Sequence, residues 1–276
     1  MKAKTAKRIV FVIIYVLLIG LLDYPYVARI FNNYIQGSVI TDYDSSIPSE
    51  SDVKIMMRAA ENYNKLLSSG TSQDKLMDAF SVDSAIDDGE SELYKKMLNF
   101  NDSGIMGTIQ IPKIDVTLPI YHGTAETELQ KGAGHLQGSS LPIGGTGTHS
   151  IISAHRGLKG KTMFTNLDLV EKGDIFFIDV LNQKIAYQVY DIETVLPTNV
   201  SSLTIEPDKD LCTLVTCTPY GINNHRLLVH GKRIEMTKEI ESLTLPDTEV
   251  LIKEYWWIPA TILFVIAMFF SIRKIQ

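Results

Sequence analysis

One cysteine, one histidine and one arginine in this chain have the residue types and surroundings that thiol chemistry requires. Cys217 ends the apolar run Thr213-Leu214-Val215-Thr216-Cys217, and Arg226 follows nine residues later. His155 lies far upstream, within Ser153-Ala154-His155-Arg156-Gly157. Acyl transfer through a thiol needs a sulfur nucleophile, a proton donor for the leaving amine and a group that stabilises the developing oxyanion. Cys217, His155 and Arg226 can supply these three functions if folding brings them together.

The elements predicted around these residues would bring the three side chains close together. Cys217 closes one apolar segment of strand type, and His155 directly follows another, residues 150–154. A hairpin through residues 219–224 would place Arg226 beside Cys217 on the neighbouring strand. Taken singly, each residue has an ordinary structural alternative: a buried inert cysteine, a solvated strand-edge arginine or a structural histidine.

The second half of the chain has the pattern of a β-barrel. From Gly107 onward, short apolar runs are separated by Gly, Pro, Asn and Asp. Only residues 164–169 offer an intervening helix, and that helix is short, so a closed or nearly closed barrel of seven or eight strands is favoured over a βαβ sheet. The predicted strands are residues 109–111, 116–121, 151–154, 175–180, 185–190, 211–217 and 227–234.

The two cysteines of the chain, Cys212 and Cys217, should not form a disulfide with each other. Five residues of extended strand span about 16 Å, which exceeds the roughly 7 Å that a disulfide allows between Cα atoms. Their odd separation also sends the two side chains to opposite faces of the strand. One thiol can therefore fill the core while the other points into a cleft.

The region before the barrel is polar, acidic and helical in pattern. Ser49 or Ser51 could cap a helix that Gly70 would end, and a short helical segment is expected near residues 93–98. We therefore divide the chain into an N-terminal anchor or signal, a helical accessory region, a catalytic barrel, a linker and a C-terminal transmembrane helix, at residues 1–29, 30–106, 107–235, 236–254 and 255–272.

Two apolar stretches, residues 9–22 and 255–272, are typical of membrane segments, and basic residues flank both on their terminal sides. The first is short for a spanning helix, so a secretory signal peptide is the alternative, although no clear cleavage site follows it. Trp256 and Trp257 suit the interface at the start of the second stretch. The positive-inside rule predicts cytoplasmic termini and an extracytoplasmic segment of about residues 30 to 252.

Composition argues against several other classes of function. A net charge of −6 without a basic stripe argues against nucleic-acid binding. We assign no site role to the other histidines and predict no metal or cofactor, because the spacing of the histidines matches no ligand pattern. The glycines of residues 144–147 lack the lysine and the helix of a phosphate loop and are predicted to form a turn. The histidines without a role are His122, His135, His149, His225 and His230.

Several segments together resemble sortases, in particular the class C sortases of Gram-positive bacteria that build pili. The resemblance extends from about Gly107 to Arg233, and its most specific part is the TLxTC pattern with a downstream arginine. Two apolar segments at the chain ends also fit class C. The segments that carry the resemblance are residues 107–114, 119–123, 132–135, 150–157 and 213–226.

The resemblance implies an eight-stranded sortase barrel with Cys217, His155 and Arg226 as the catalytic residues. In such an enzyme the cysteine attacks the Thr-Gly bond of an LPxTG-type sorting signal, and a lysine amine of another pilin resolves the thioester. Pilins and the membrane are the implied partners. Specificity is expected in the region between Tyr190 and Leu211.

Class C sortases usually carry a lid with an Asp-Pro-aromatic motif. The corresponding place reads Asp78-Ala79-Phe80, which retains the charge and the ring but lacks the proline. Asp78 would pair with Arg226, and Phe80 would cover Cys217. The structural alternative is the end of an amphipathic helix.

Three other functions remain open from the sequence. A housekeeping-type sortase would attach proteins to a peptidoglycan precursor, whereas a cysteine protease would use water as the acceptor. A noncatalytic, membrane-tethered adhesion or scaffold module could keep the sortase fold without turnover.

Overall fold

A closed barrel of eight strands forms the body of the protein. The computed structural model describes residues 2–69 and 89–244. The strands are β1 Ile105–Ile111, β2 Val116–His122, β3 Ala133–His135, β4 Thr148–Ser153, β5 Ile175–Val180, β6 Gln183–Val195, β7 Asp210–Thr218 and β8 His225–Ile234. Their order around the barrel is β1-β2-β3-β4-β7-β8-β6-β5, which confirms the fold class predicted from the sequence.

Helices precede and decorate the barrel. The helix Glu50–Ser69 begins where the sequence predicts. The backbone N–H of Asp52 donates to Ser49 Oγ at 3.4 Å, and this bond caps the first turn. The helices are α1 Lys2–Ser45, α2 Glu50–Ser69, α3 Gly89–Lys96, α4 Glu126–Leu129 and α5 Lys238–Glu241.

The strands β4, β7, β8 and β6 form the wall on which the candidate site lies. Strand β4 is parallel to β7, β7 is antiparallel to β8, and β8 is antiparallel to β6. Alternate residues of this wall point to opposite faces. Ile152, Leu214 and Val229 belong to the barrel core. Their neighbours Ile151, Val215 and Leu228 form a separate apolar cluster on the outer face together with Leu136, Val195 and Leu203.

A bend divides α1 into two parts. Pro25 lies inside the helix, and proline both lacks the N–H that would bond to the carbonyl of Leu21 and crowds that carbonyl. Within the described residues, no helix taken alone has the length and apolarity of a membrane span, whereas Ile13–Leu21 and Asp23–Ser45, bent by 49°, meet those criteria as a pair.

The second part of α1 packs against the barrel. Asn32 Nδ2 donates to the carbonyl of Gly160 at 2.7 Å, and the hydroxyl of Tyr43 donates to the carbonyl of Met106 at 3.2 Å. The helix therefore runs across the predicted boundary between residues 29 and 30 without a break and ends against the barrel.

Helices α2 and α3 are each fixed to the barrel by buried polar contacts. Asn64 of α2 bonds to both backbone groups of Leu141, at 3.1 and 2.7 Å. The hydroxyl of Tyr94 in α3 contacts His135 Nδ1 at 2.9 Å and accepts from the N–H of Gly123 at 2.9 Å. The helices on either side of residues 70–88 are thus anchored.

The structure differs from the predicted elements at several strands and at one helix. Strand β3 was not among the predicted strands, and β1 begins at Ile105, two residues before Gly107. Strand β6 continues past Tyr190 to Val195, so the loop before β7 is residues 196–209. The helix predicted at residues 164–169 is only a 3-10 turn, Leu167–Leu169.

Candidate active site

The hairpin formed by β7 and β8 places Cys217 directly opposite Arg226. The two residues are partners in the antiparallel register, so their side chains project from the same face of the sheet. Val195 of β6 pairs with Arg226 from the other side. The juxtaposition expected from the sequence is therefore a consequence of strand register.

His155 is held beside the same point of β7 by its two chain neighbours. The hydroxyl of Thr216 donates to the carbonyl of Ala154 at 2.8 Å. Arg156 Nη1 donates to the hydroxyl of Thr218 at 3.0 Å. These two threonines flank the cysteine, so the chain segment that carries His155 runs alongside the residue that would act as nucleophile. The structure thus brings the three sequence-predicted residues to one end of the barrel.

The guanidinium of Arg226 is directed by backbone carbonyls. Arg226 is only 8% exposed. Its Nη1 donates to the carbonyls of Asn223 and His225 at 3.2 and 3.1 Å. Hydrogen bonds from a charged donor are stronger than neutral ones, and a guanidinium carries five N–H donors in a planar fork. Such a group is suited to binding a carbonyl oxygen or an oxyanion.

The two cysteines have different environments, and neither is in a disulfide. Cys212 is fully buried in the barrel core, and burial raises the pKa of its thiol well above the usual value. Cys217 is 9% exposed and lies at the outer face beside Arg226. This confirms the prediction that their side chains point to opposite faces and leaves Cys217 as the thiol suited to chemistry.

Glu126 in α4 contacts His155, a relation that the sequence did not suggest. Glu126 Oε2 lies 3.2 Å from His155 Nε2, and the two side chains are 67% and 21% exposed. An exposed pair of this kind contributes little to stability. The contact places a carboxylate oxygen beside the Nε2 atom of His155.

Arg156 was also missed as a site residue, although it lies next to His155 in the sequence. Besides its bond to Thr218, it pairs with Asp168 at 2.5 Å and donates from Nε to the carbonyl of Thr165 at 3.2 Å. Its side chain is 8% exposed. A buried arginine with several fixed partners holds its chain segment in place. Arg156 therefore fixes the segment that carries His155.

Gly157 brings the loop after His155 close to the β7–β8 hairpin. Its φ of 78° lies in the left-handed region that glycine tolerates. A Cβ at this position would lie 2.7 Å from the ring of Tyr220. Glycine is required on both counts, which explains the residue that ends the Ser-Ala-His-Arg-Gly motif.

An apolar groove extends from Arg226 along the outer face of the barrel wall. Its floor is formed by Ile151, Val215 and Leu228, and loop 196–209 supplies one wall through Pro197, Val200 and Leu203. The groove connects Arg226 with the region in which the family resemblance places specificity.

The other histidines make hydrogen bonds within the fold, as in the contact of His135 with Tyr94. Among residues 2–69 and 89–244, no three His, Cys, Asp or Glu side chains are arranged to hold a metal ion. The lid candidates Asp78 and Phe80 and the apolar stretch 255–272 lie outside the described residues.

Comparisons with known proteins give a consistent assignment. The family model "Sortase domain" matches residues 109–234. Sortase C1 of Streptococcus agalactiae is similar in structure, with a TM-score of 0.65 and 42% sequence identity over 72% of this chain and 100% of that one. Sortase C-1 of Actinomyces oris has a TM-score of 0.62 and 42% identity over 67% of this chain and 99% of that one.

A sequence relative, sortase A of Streptococcus agalactiae, is 30% identical over 154 residues, which are 55% of this chain and 61% of the relative. The chain therefore spans about three fifths of that relative's length. Residues 109–234, which the family model matches, include His155, Cys217 and Arg226. The barrel, the family match and the similarity to whole class C structures show that the chain belongs to the sortase family, within class C.

Proposed function

We propose that this protein is a membrane-anchored cysteine transpeptidase that joins pilin subunits through lysine isopeptide bonds. The observation that carries the proposal is the register pair of Cys217 and Arg226, with His155 held alongside by Thr216 and Thr218. A thiol, a fixed guanidinium and an imidazole at one end of a groove are the parts that acyl transfer requires.

In the first half of the reaction, the sulfur of Cys217 attacks the threonine carbonyl carbon of an LPxTG-type sorting signal. Arg226 donates to the oxyanion that forms, and His155 gives a proton to the departing glycine amine. The C–N bond breaks and a thioester remains on the cysteine. The floor of the groove is apolar, which is the type of surface that the leucine and proline of such a signal would contact.

In the second half, a lysine amine of another pilin attacks the thioester carbonyl. His155 accepts the proton that the amine loses and passes it to the departing sulfur. The C–S bond breaks, an isopeptide bond forms and the thiol is restored. Repetition with successive pilins gives a covalent fibre. Lysine as the acceptor is supported by similarity to sortases C, and the geometry of Cys217 is equally compatible with other amines.

Membrane attachment is part of the proposal. The first part of α1 presents exposed apolar side chains, including Leu17 at 67% and Leu21 at 72%, while its second part packs on the barrel through Asn32 and Tyr43. Insertion of the apolar part into a bilayer would bury this surface. Residues 255–272 would form a second anchor, with both termini cytoplasmic and the barrel outside.

The test is polymerisation of a purified pilin by the full-length chain in detergent micelles, because α1 contributes to the packing of the barrel. We expect denaturant-resistant ladders with the wild-type protein and none with Cys217→Ala or with a pilin whose acceptor lysine is replaced by arginine. Cleaved pilin without ladders would indicate water or a cell-wall precursor as acceptor. No thioester at all would favour the noncatalytic module.

We further propose that Asp78 and Phe80 belong to a lid over the reaction centre. In a Cys212→Ala background, where Cys217 is the remaining thiol, replacing both residues by alanine is expected to speed alkylation by iodoacetamide. Loss of a charge-assisted bond to Arg226 corresponds to an increase of at least about ten-fold. Asp83→Ala, in the same acidic segment, is the control, and an unchanged alkylation rate in the double variant would refute the lid.

A further inference from the structure

A chain of buried polar side chains runs beside the apolar groove and is not used by the reaction described above. It lies on the outer face of the same wall, where His149, Thr213 and His230 are 1%, 0% and 3% exposed. These residues belong to β4, β7 and β8 respectively. A buried polar group without a hydrogen bond destabilises the folded state, so each of these side chains should have hydrogen-bond partners.

Four contacts connect the chain from end to end. His149 Nδ1 lies 2.9 Å from the carbonyl oxygen of Thr204, and His149 Nε2 lies 2.7 Å from Thr213 Oγ1. Thr213 Oγ1 is in turn 2.8 Å from His230 Nδ1. His230 Nε2 is 3.2 Å from Glu193 Oε1.

The two ends of this chain can only accept hydrogen bonds, because one is a carbonyl oxygen and the other a carboxylate. Four contacts therefore need four hydrogens, supplied by the groups between the ends. Two neutral imidazoles and one hydroxyl carry one hydrogen each, which makes three. The chain is complete only when it holds one additional proton, and either histidine ring can carry that proton without leaving a contact unfilled.

The surroundings favour His230 as the carrier. Glu193 and Asp191 of β6 both face it, the latter as its direct cross-strand partner, and the ring of Tyr190 lies 6.0 Å away. His149 is deeper, and burial lowers its pKa to about 4. The other charged groups nearby are Glu206, which forms an ion pair with Lys209, and Lys172, which forms one with Asp191.

One end of the chain lies in the wall of the groove. Thr204 follows Leu203, and Leu203 and Val200 line the groove from loop 196–209. The bond from His149 Nδ1 to the Thr204 carbonyl thus ties this loop to β4. Glu193 is charged and is therefore the stronger acceptor, so three hydrogens would fill the chain from the Glu193 end. The contact left without a hydrogen is then that of His149 Nδ1 with the Thr204 carbonyl in the loop.

We propose that His149, Thr213, His230 and Glu193 form a clamp, closed by one proton, that positions loop 196–209 for binding of the sorting signal. The clamp residues are positioning residues, and the substrate part of this inference rests on the proposed function. When the proton is removed at higher pH, three hydrogens remain for four contacts, so one bond is lost.

The deciding variant is Glu193→Gln. The amide of glutamine can donate to the lone pair of neutral His230 Nε2, so four hydrogens are present without a charge. Glu193 is 36% exposed, which makes the substitution mild for folding. The matched control is Asp191→Asn, which removes the same charge opposite His230 but leaves the hydrogen count of the chain unchanged.

The full-length chain in micelles, labelled with ¹⁵N in its histidine rings, gives a readout that does not depend on turnover. Near neutral pH we expect both ring nitrogens of His230 to carry hydrogen in the wild type and in Asp191→Asn. In Glu193→Gln we expect the neutral Nδ1–H form. A neutral His230 in the wild type, or a doubly protonated ring in Glu193→Gln, would overturn the clamp.

The second readout is KM for a sorting-signal peptide as pH is raised across the measured His230 titration. Loss of one hydrogen bond at the loop predicts a rise in KM of about five-fold in the wild type and in Asp191→Asn, and a flat profile in Glu193→Gln. Equal pH profiles in all three proteins would refute positioning of the loop. If no peptide is processed although the rings have the expected protonation, the result counts against the proposed function. The protonation of His230 still supports the clamp in that case.

Discussion

Replacing Cys217 by alanine is expected to eliminate the acyl-enzyme, whereas replacing Cys212 by alanine should leave it. Removal of the nucleophile in an enzyme of this type lowers turnover by at least about 10⁴-fold, because the remaining groups have no atom to acylate. Cys212 is buried in the core, where burial raises the pKa of its thiol and keeps it protonated. Intact-mass spectrometry after incubation with a sorting-signal peptide checks both variants.

The pair of cysteine variants separates the catalytic role from the general presence of a thiol. Cys212→Ala removes one buried sulfur and should reduce thermal stability modestly while the mass of the thioester adduct still appears. An adduct in Cys217→Ala, or its loss in Cys212→Ala with the fold intact, would contradict the assignment of the nucleophile.

The barrel was predictable because most of its strands have their own sequence signal. Strand β7 is an apolar run of β-forming residues, and its partner β8 begins after a turn rich in Gly and Asn. Once these two strands form a hairpin, the opposition of Cys217 and Arg226 follows from register.

Strand β3 shows where this reasoning stops. It has three residues, one of them Gly134, so it carries neither an alternating pattern nor strong strand propensity. It is a strand because β2 and β4 pair with it on either side. Pairing of this kind is a tertiary effect that local sequence does not encode.

The support around His155 was invisible for a similar reason. Thr216 and Arg156 are adjacent in sequence to predicted site residues, but their function depends on bonds to the neighbouring strand segment. The chain from His149 to Glu193 likewise needs four separate elements to meet. Sequence spacing suggested the candidate reacting groups, and only the fold shows which bonds hold them.

Substitution of Arg226 by lysine is expected to lower kcat/KM for a sorting-signal peptide by about 10²- to 10³-fold, the usual effect of losing an oxyanion donor. Lysine keeps the positive charge, so the variant tests geometry instead of charge. The guanidinium of Arg226 is fixed by hydrogen bonds to the carbonyls of Asn223 and His225. An ammonium on a flexible stem cannot reproduce that planar arrangement.

Arg233→Lys is the matched control, because Arg233 lies at the opposite end of β8, next to Gly144 and Asp210. It should retain kcat/KM within about two-fold, as substitutions away from a reaction centre usually do. Single-turnover measurement of thioester formation locates the effect: Arg226→Lys should slow acylation itself, since oxyanion stabilisation is needed before the amine leaves. Normal acylation in Arg226→Lys would mean that the positive charge alone suffices and that the fixed orientation of Arg226 has another purpose.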